Sequence, residues 1–200
     1  MTNADHQPEH LHDRRFQGGP DRLRAPDRVE LLELARVVAL SLEGLTVTSV
    51  LDVGTGTGIF AEAFAALGMS VTGIDVNVEL LAVAQQHVPS GQFREAPMEQ
   101  LPFPDRSFDL VFLGHVLHEA DNFVVALQEA RRVARKRVAV LEWPYREEQK
   151  GPPLEHRLKP SAVEDFATSA GYTQIETQHL QHMDFYRLTP WPLFVVNDRL

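Results

Sequence analysis

The sequence predicts an α/β protein built on a doubly wound, mostly parallel sheet with helices on both faces. Strand-like and helix-like segments alternate from about residue 49 to residue 143, which is the pattern of consecutive β-α-β units. Residues 50–53 form a strongly apolar strand that runs directly into a glycine-rich loop and then into a helix. This order of strand, loop and helix is typical of ligand sites at the edge of such sheets.

Composition favours one globular domain of ordinary polarity. The 200 residues include 44% hydrophobic and 24% charged residues, and the formal net charge is −9. Because proteins that bind phosphate backbones present clustered cations, this charge makes nucleic acid a poor candidate partner. The absence of cysteine excludes disulfides and thiolate chemistry and fits a reducing cytoplasm. Since the start lacks an apolar leader and no apolar run approaches the roughly 20 residues of a membrane span, we expect a cytoplasmic protein without a membrane partner.

The chain is expected to contain a flexible tail or lid over residues 1–25 and a single domain over residues 26–200. The first segment is polar, rich in Gly and Pro, and lacks any periodicity, which is typical of mobile segments. It contains His6, His10 and His12, whose spacing matches no structural zinc pattern. We therefore expect no metal site.

The remaining elements follow in order along the chain. Helical spacing from Pro26 to Gly44 predicts one amphipathic helix. Strands are then predicted in SVLDVG, SVTGID, QFREA, SFDLVFLG and RVAVLEW, and helices in IFAEAFAALG, NVELLAVAQQHV and NFVVALQEARRVAR. The basic residues expected to close the last of these helices, where cations complement the helix dipole, are Arg131, Arg132, Arg135, Lys136 and Arg137. A helix over residues 161–170 and a strand or hairpin over residues 173–188 complete the sheet.

The glycine-rich loop has the form D-x-G-x-G-x-G, made by Asp52, Gly54, Gly56 and Gly58. Glycine at a strand-to-helix turn lets a ligand approach the backbone closely. A dinucleotide site stays open as an alternative, because counting from Gly56 places Ala61 at the last position of the G-x-G-x-x-A fingerprint. Asp52 favours a cationic ligand group such as the ammonium of a methionyl moiety, since its charge would repel a pyrophosphate.

Asp75 ends the next predicted strand, about 20 residues after the loop, where a ribose-binding acid is expected. Its carboxylate can accept hydrogen bonds from both ribose hydroxyls. The competing interpretation is a solvated acid that caps the helix beginning near Asn77. The pairing of Asp75 with Asp52 and the glycines favours the ribose interpretation.

Two segments resemble a known family. VLDVGTGTGIFAEAFAALGMSVTGIDVN resembles the first two motifs of the class I S-adenosylmethionine-dependent methyltransferases, and EAPMEQLPFPDRSFDLVFLGHVLHE resembles the third and fourth motifs of their small-molecule branch. The resemblance covers about residues 48–143. It implies a seven-stranded Rossmann-like sheet, S-adenosylmethionine as methyl donor, S-adenosylhomocysteine as product, and a small-molecule acceptor.

The resemblance also implies how the donor is bound: the loop holds the methionyl part, Asp75 the ribose, and Val76 the adenine. The implied donor-binding residues are Asp52, Gly54, Thr55, Gly56, Gly58, Asp75, Val76, Asn77, Met98, Glu99 and Leu113. Two departures stand out. Pro97 occupies the position where the family usually has an acid that binds the adenine amino group, which leaves Glu99 to provide it. Residues 135–137 replace a common Pro-Gly-Gly turn.

Candidates for catalysis and acceptor binding follow the fourth and fifth predicted strands. His115 and His118 are the catalytic candidates because histidine titrates near neutrality, although each can instead face the interior or solvent. Four residues lie in or beside the long loop after the fifth strand, where they can offer an aromatic wall and a charge to an anionic acceptor: Trp143, Tyr145, His156 and Arg157. The alternatives are that Trp143 packs into the core edge and that Arg157 pairs with a surface glutamate: Glu147, Glu148 or Glu155.

Three functions therefore fit the sequence. The leading hypothesis is an enzyme that methylates a small molecule. The second is a donor-binding protein without catalysis, suggested by Pro97 and by the lack of an unmistakable base. The third is a nucleotide-dependent oxidoreductase that uses the glycine loop differently. The acceptor, the atom methylated and the oligomeric state are not specified by the sequence.

Overall fold

A computed structural model describes Phe16 and residues 18–191, and this part of the chain folds around one seven-stranded sheet. The strands are β1 Ser49–Val53, β2 Ser70–Asp75, β3 Gln92–Glu95, β4 Phe108–Gly114, β5 Ala134–Glu142, β6 Gln174–His179 and β7 Asp184–Thr189. Their order in the sheet is β3-β2-β1-β4-β5-β7-β6. Strands β1 to β5 pair in parallel, and β7 runs antiparallel to both neighbours. The predicted doubly wound, mostly parallel sheet is confirmed.

Seven α-helices accompany the sheet in the described part of the chain. They are α1 Pro20–Leu23, α2 Pro26–Leu31, α3 Leu34–Leu42, α4 Ile59–Ala66, α5 Val78–His87, α6 Phe123–Val133 and α7 Pro160–Ser169, with single 3-10 turns at Leu117–Glu119 and Leu154–His156. Helix α7 and the β6–β7 hairpin confirm the last predicted elements. Between residues 18 and 191, no helix combines the length and the apolar character needed to cross a membrane.

The central strands are buried on both faces. Leu110 and Phe112 of β4 pack with α3 and α4, whereas the alternate residues Val111 and Leu113 pack with α6 and α7. A strand covered on both sides needs apolar residues at successive positions, which explains the continuous apolar run in this part of the sequence. The carboxyl ends of these strands are thereby held at one rigid edge.

The single helix predicted from Pro26 to Gly44 is wrong. Helix α2 ends at Leu31 and α3 begins at Leu34, because Glu33 adopts a left-handed conformation with φ 46°. The Glu33 carboxylate accepts the backbone N–H groups of Gln181 and His182 at 2.9 and 3.3 Å. This contact with the β6–β7 turn stabilises the break, which turns α2 toward the carboxyl edge of the sheet.

The expectation that Arg135, Lys136 and Arg137 close a helix is also wrong. Helix α6 ends before them, and these three residues lie near the start of β5. The other two basic residues, Arg131 and Arg132, are in the last turn of α6, as predicted. Arg137 donates to the carbonyl oxygens of Ser41 and Glu43, both at 2.9 Å. A cation bound to the carbonyls at the carboxyl end of α3 complements that helix, so this basic run fastens β5 to a neighbouring element.

Candidate active site

A cavity of about 440 Å³ opens at the carboxyl ends of β1, β2, β4 and β5. It lies where the strand order reverses between β1 and β4, the position at which doubly wound sheets bind ligands. Two segments cover it: the N-terminal cover, residues 18–31, and the loop cover, residues 144–158. The volume falls in the range of small-molecule sites, roughly 300–1,000 Å³.

The glycine loop forms the floor of the cavity next to β1. Gly54, Gly56 and Gly58 have φ values of 66°, 54° and 80°, a region that other residues enter only at a cost. A Cβ on Gly54 would lie 2.2 Å from Val116 Cγ2. The loop therefore packs closely against Val116, and the buried Thr57 Oγ1 has no hydrogen-bond partner among the described residues.

Asp52 places a nearly dehydrated carboxylate at the cavity wall. Its side chain is 2% exposed, and Oδ2 accepts a hydrogen bond from Thr55 Oγ1 at 2.7 Å. Burial raises the pKa of Asp52 to about 7, against the opposing effect of Thr55 and with a smaller contribution from Asp75. A cationic ligand group at this position would favour the ionised form.

Asp75 links the glycine loop to the end of β2. Its Oδ2 accepts the Gly56 N–H and its Oδ1 accepts the Asn77 N–H, both at 2.9 Å. The cap of α5 is Asn77 itself, whose side chain accepts the N–H groups of Glu79 and Leu80. Asp75 also lines the cavity, where a carboxylate is a suitable acceptor for ligand hydroxyls.

A smaller cavity of about 40 Å³ adjoins the first beyond β2 and is lined by Val76, Pro97, Met98 and Glu99. Val76 is 42% exposed, which is unusual for a large apolar residue here. Glu99 Oε1 accepts the Asp121 N–H at 2.8 Å. These residues lie where the adenine was expected.

Leu113 is a correction to the predicted donor site. It is fully buried in the core between the sheet and the α6–α7 layer, and it lines neither cavity. Its neighbour Gly114 is the residue of β4 that reaches the cavity. Because β4 is apolar at every position from Leu110 to Leu113, sequence alternation does not distinguish its two faces.

His118 and Glu142 form a buried pair at the ends of β4 and β5. His118 Nδ1 donates to Glu142 Oε2 at 2.9 Å, and Glu142 also accepts the backbone N–H groups of His118 and Trp143. Burial acts to lower the pKa of His118, but the charge and hydrogen bond of Glu142 outweigh it and raise the pKa above 6.5. Because Nδ1 is occupied, Nε2 is the imidazole nitrogen left for a ligand in the cavity.

Glu119 stands beside this pair and was missed by the sequence analysis, as was Glu142. Glu119 Oε1 lies 3.9 Å from His118 Nε2 and accepts the Phe16 N–H at 3.1 Å. Burial raises the pKa of Glu119 to about 7, although His118 and the Phe16 N–H oppose the rise. Glu142 could have been noticed as the acid that ends the apolar run VAVLE. Glu119 carried no comparable signal.

His115 lines the cavity, but its ring is engaged elsewhere. The residue has a left-handed φ of 57°, its ring stacks on Trp143 with centroids 4.7 Å apart, and its Nε2 lies 2.9 Å from Met183 Sδ. Burial, followed by the charges of Arg28 and His118, lowers the pKa of His115 well below 6.5. His115 is therefore a neutral wall of the site, and His118 is the stronger candidate for proton transfer.

Arg157 does not line the cavity, contrary to expectation. It pairs with Glu148, one of the alternative partners, but its own side chain is buried rather than at the surface. It is 4% exposed, and its guanidinium donates to the carbonyl oxygens of Pro152, Pro144 and Lys150 at 2.9, 3.1 and 2.7 Å. The distance from Arg157 Nη1 to Glu148 Oε2 is longer, 3.5 Å. Arg157 thus fastens the loop cover from within.

The other residues predicted in the loop cover divide between the cavity and the surface. His156 lines the cavity. Tyr145 is 40% exposed and is not among the residues that line the cavity. Its ring lies 5.2 Å from Lys159 Nζ, so its expected role in acceptor binding is not supported. Trp143 packs into the core, as one alternative predicted, and it also lines the cavity, as the other predicted.

The N-terminal cover lies directly on the glycine loop. Leu23 Cδ1 is 3.3 Å from the position of a Cβ on Gly56, and Arg24 Nη2 donates to the Thr57 carbonyl at 2.8 Å. Lys150 of the loop cover forms an ion pair with Asp27 of α2, which joins the two covers. The histidines His6, His10 and His12 lie outside the described residues.

Similarity to known proteins covers the central part of the chain, which includes the strands that border this cavity. Residues 51–141 match a family model described as a methyltransferase domain. The demethylmenaquinone methyltransferase of Chlorobaculum tepidum is 36% identical over 102 residues, covering 50% of this chain and 42% of that protein. The malonyl-[acyl-carrier protein] O-methyltransferase of Buchnera aphidicola is 36% identical over 87 residues, covering 44% of this chain and 35% of that protein.

A solved structure extends the likeness beyond the matched segment. The SAM-dependent methyltransferase from Aquifex aeolicus aligns over 88% of this chain and 100% of its own, with a TM-score of 0.73 and 24% identity. At that identity the likeness establishes the fold. The chain spans less than half the length of the two curated relatives described above.

The packing of the glycine loop predicts that Gly54→Ala lowers the free energy of unfolding by about 2 to 4 kcal/mol, since it combines left-handed strain with a clash. Gly68→Ala is the matched control, because Gly68 has φ 84° but nothing within 4 Å of an added Cβ. It should cost only the strain, about 1 to 2 kcal/mol. Urea unfolding measures both, and equal losses would contradict the proposed contact with Val116.

The carbonyl contacts of Arg157 predict that Arg157→Ala lowers the free energy of unfolding by about 1.5 to 3 kcal/mol and increases hydrogen exchange across residues 144–158. Arg146→Ala is the control in the same loop, because Arg146 is largely exposed and pairs with Glu148 at the surface. Its effect should stay within about 0.5 kcal/mol. Unchanged exchange in Arg157→Ala would show that the loop is held by other contacts.

Proposed function

We propose that this protein is a class I methyltransferase that transfers a methyl group from S-adenosylmethionine to a small-molecule acceptor, since residues 51–141 match a methyltransferase domain. The observation that carries the proposal is a cavity with donor-type groups at β1 and β2 and a histidine–glutamate pair at β4 and β5. The two relatives are named for demethylmenaquinone and for malonyl-[acyl-carrier protein]. Since these acceptors differ, the acceptor of this chain has to be sought in its own site.

The donor side of the cavity fits S-adenosylmethionine. The dehydrated carboxylate of Asp52 suits the methionyl ammonium, Asp75 suits the ribose hydroxyls, and the exposed apolar surface of Val76 suits the adenine ring. The glycines in the left-handed backbone conformation leave the loop backbone open to a ligand. The Thr57 hydroxyl, which has no partner among the described residues, provides a further polar contact. With the exception of Leu113, the donor-binding residues predicted from the sequence remain part of this proposal.

The proposed chemistry is an in-line displacement in which the protein supplies position, a base and a dry site. S-adenosylmethionine supplies a methyl group made electrophilic by the attached sulfonium. With the donor bound, the acceptor atom would bond to the methyl carbon while the carbon–sulfur bond breaks and leaves its electron pair on sulfur. His118 Nε2 would take the proton that the acceptor loses. Glu142 keeps Nδ1 protonated and fixes the ring, while the stacked pair of His115 and Trp143 forms an apolar wall.

We place this activity in the cytoplasm, where a chain without cysteine is suited to the reducing conditions. The activity itself is tested by incubating the protein with methyl-labelled S-adenosylmethionine and fractionated metabolite extracts. Label should move into a small molecule. Donor binding without transfer into any fraction would favour the non-catalytic alternative.

Donor recognition predicts that Asp75→Asn weakens S-adenosylhomocysteine binding by about 1 to 3 kcal/mol, because a charged acceptor of hydrogen bonds is lost. Isothermal titration calorimetry measures the affinity. Asp105→Asn serves as control. The Asp105 side chain is 75% exposed, and the residue precedes β4, at the end of that strand away from the cavity. Binding of NAD by the wild type, with no binding of S-adenosylmethionine or S-adenosylhomocysteine, would overturn the proposed function.

The histidine–glutamate pair predicts that His118 titrates above 6.5 in the wild type and at a lower pH in Glu142→Gln. Removing the carboxylate leaves burial as the dominant influence, and burial disfavours the imidazolium. Since the base has to be neutral, turnover should rise with pH through the same value, and this rise should shift to lower pH in the variant. NMR titration of labelled histidine measures the pKa without an acceptor. An unshifted His118 would contradict the pairing.

A further inference from the structure

This inference rests on the proposed function and concerns the acceptor half of the cavity. The donor-type residues Asp52 and Asp75 lie at the ends of β1 and β2, and β4 and β5 lie on the other side of β1 from β2. His118 and Trp143 follow those two strands and line the same cavity. The space above β4 and β5 is therefore left for the molecule that receives the methyl group.

Arg28 extends from α2 into this half. It lines the cavity, and its Cζ lies 5.7 Å from the ring centroid of Trp143. Its charge is also among the causes that lower the pKa of His115. These two neighbours, Trp143 and His115, therefore place this guanidinium above β4 and β5 rather than above the glycine loop.

The guanidinium of Arg28 makes no hydrogen bond and no ion pair with any residue from 18 to 191 or with Phe16. Arg157 offers a direct contrast, because it lies 5.5 Å from the same ring and is saturated by three carbonyl groups. In the N-terminal cover, Arg24 is likewise engaged by Glu62 and by the Thr57 carbonyl. Arg28 is thus a cavity-lining cation whose five donors have no partner within the part of the chain that the structure describes.

The surroundings of Arg28 make an unpaired charge costly. Burial lowers the pKa of Arg28, and Glu119 opposes this from a distance longer than a salt bridge, while Arg22 adds further positive charge. An arginine stays protonated even so. A partly dehydrated cation without a partner is stabilised by an anionic ligand group.

We propose that the methyl acceptor is a small carboxylic acid whose carboxylate is bound by Arg28 against Trp143. The planar guanidinium matches a carboxylate through two parallel hydrogen bonds. A monoanion suits the cavity better than a phosphate dianion, because Asp52, Asp75 and Glu119 line the same space and would repel the second charge. Anchoring the carboxylate over β5 leaves the rest of the acceptor to reach His118.

The test measures binding of carboxylates to protein saturated with S-adenosylhomocysteine. The probes are a panel of aromatic and aliphatic monocarboxylic acids, each compared with its own primary amide, and binding is followed by calorimetry and by tryptophan fluorescence. At least one acid should bind about tenfold more tightly than its amide, the margin expected for a hydrogen bond to a charged group. Arg28→Gln should abolish that preference and change S-adenosylhomocysteine affinity by less than about threefold.

Arg36→Gln is the matched control, because Arg36 is on α3, outside the cavity, and pairs with Glu33 at the surface. It should retain the full preference for acid over amide. The proposal is wrong if no acid exceeds its amide, if Arg28→Gln keeps the preference, or if inorganic phosphate competes more strongly than every acid. A tenfold loss of S-adenosylhomocysteine affinity in Arg28→Gln would instead assign this residue to the donor's own carboxylate. Failure of the wild type to bind S-adenosylhomocysteine at all would count against the proposed function.

Discussion

The turn from β1 into α4 is the constraint on which both the fold and the site depend. Gly54 packs against the side chain of Val116, so the loop after β1 touches the turn after β4 closely because Gly54 has no side chain of its own. Gly56 donates to Asp75 and thereby joins the same loop to the end of β2. Three strand ends are fixed relative to one another by contacts of the loop backbone. These contacts hold the glycine-loop side of the cavity rigid, and the side chains next to it are positioned by this turn.

The geometry of the glycine loop and of Asp75 was predictable from the sequence because its signals are local. A strand, three glycines and an acid at the end of the next strand lie close together in the chain, and each has a direct conformational reason. The break at Glu33 was not predictable, since its neighbours favour a helix and the amides that stabilise the break come from Gln181 and His182. Tertiary contacts override helix propensity in such cases.

The acceptor side was less predictable for related reasons. Polar sequence around Arg157 indicated a surface residue or a ligand, whereas the loop folds back so that its own carbonyl groups enclose the guanidinium. Leu113 was assigned to the wrong face because a strand buried on both sides shows no alternation of apolar and polar residues. Glu142 gains its importance only from the pairing of β5 with β4, which brings it to His118. These outcomes depend on contacts between distant parts of the chain.

The division of the cavity between core strands and covers has a consequence for evolution. The segment that matches the methyltransferase domain ends at residue 141, whereas Arg28, Trp143 and His156 all lie outside it. The groups proposed to surround the acceptor are thus encoded mainly in peripheral segments, and those proposed to surround the donor are encoded in the matched core. On the proposed function, a lineage can therefore acquire a new substrate by altering its two covers while it inherits the glycine-loop side of the cavity unchanged.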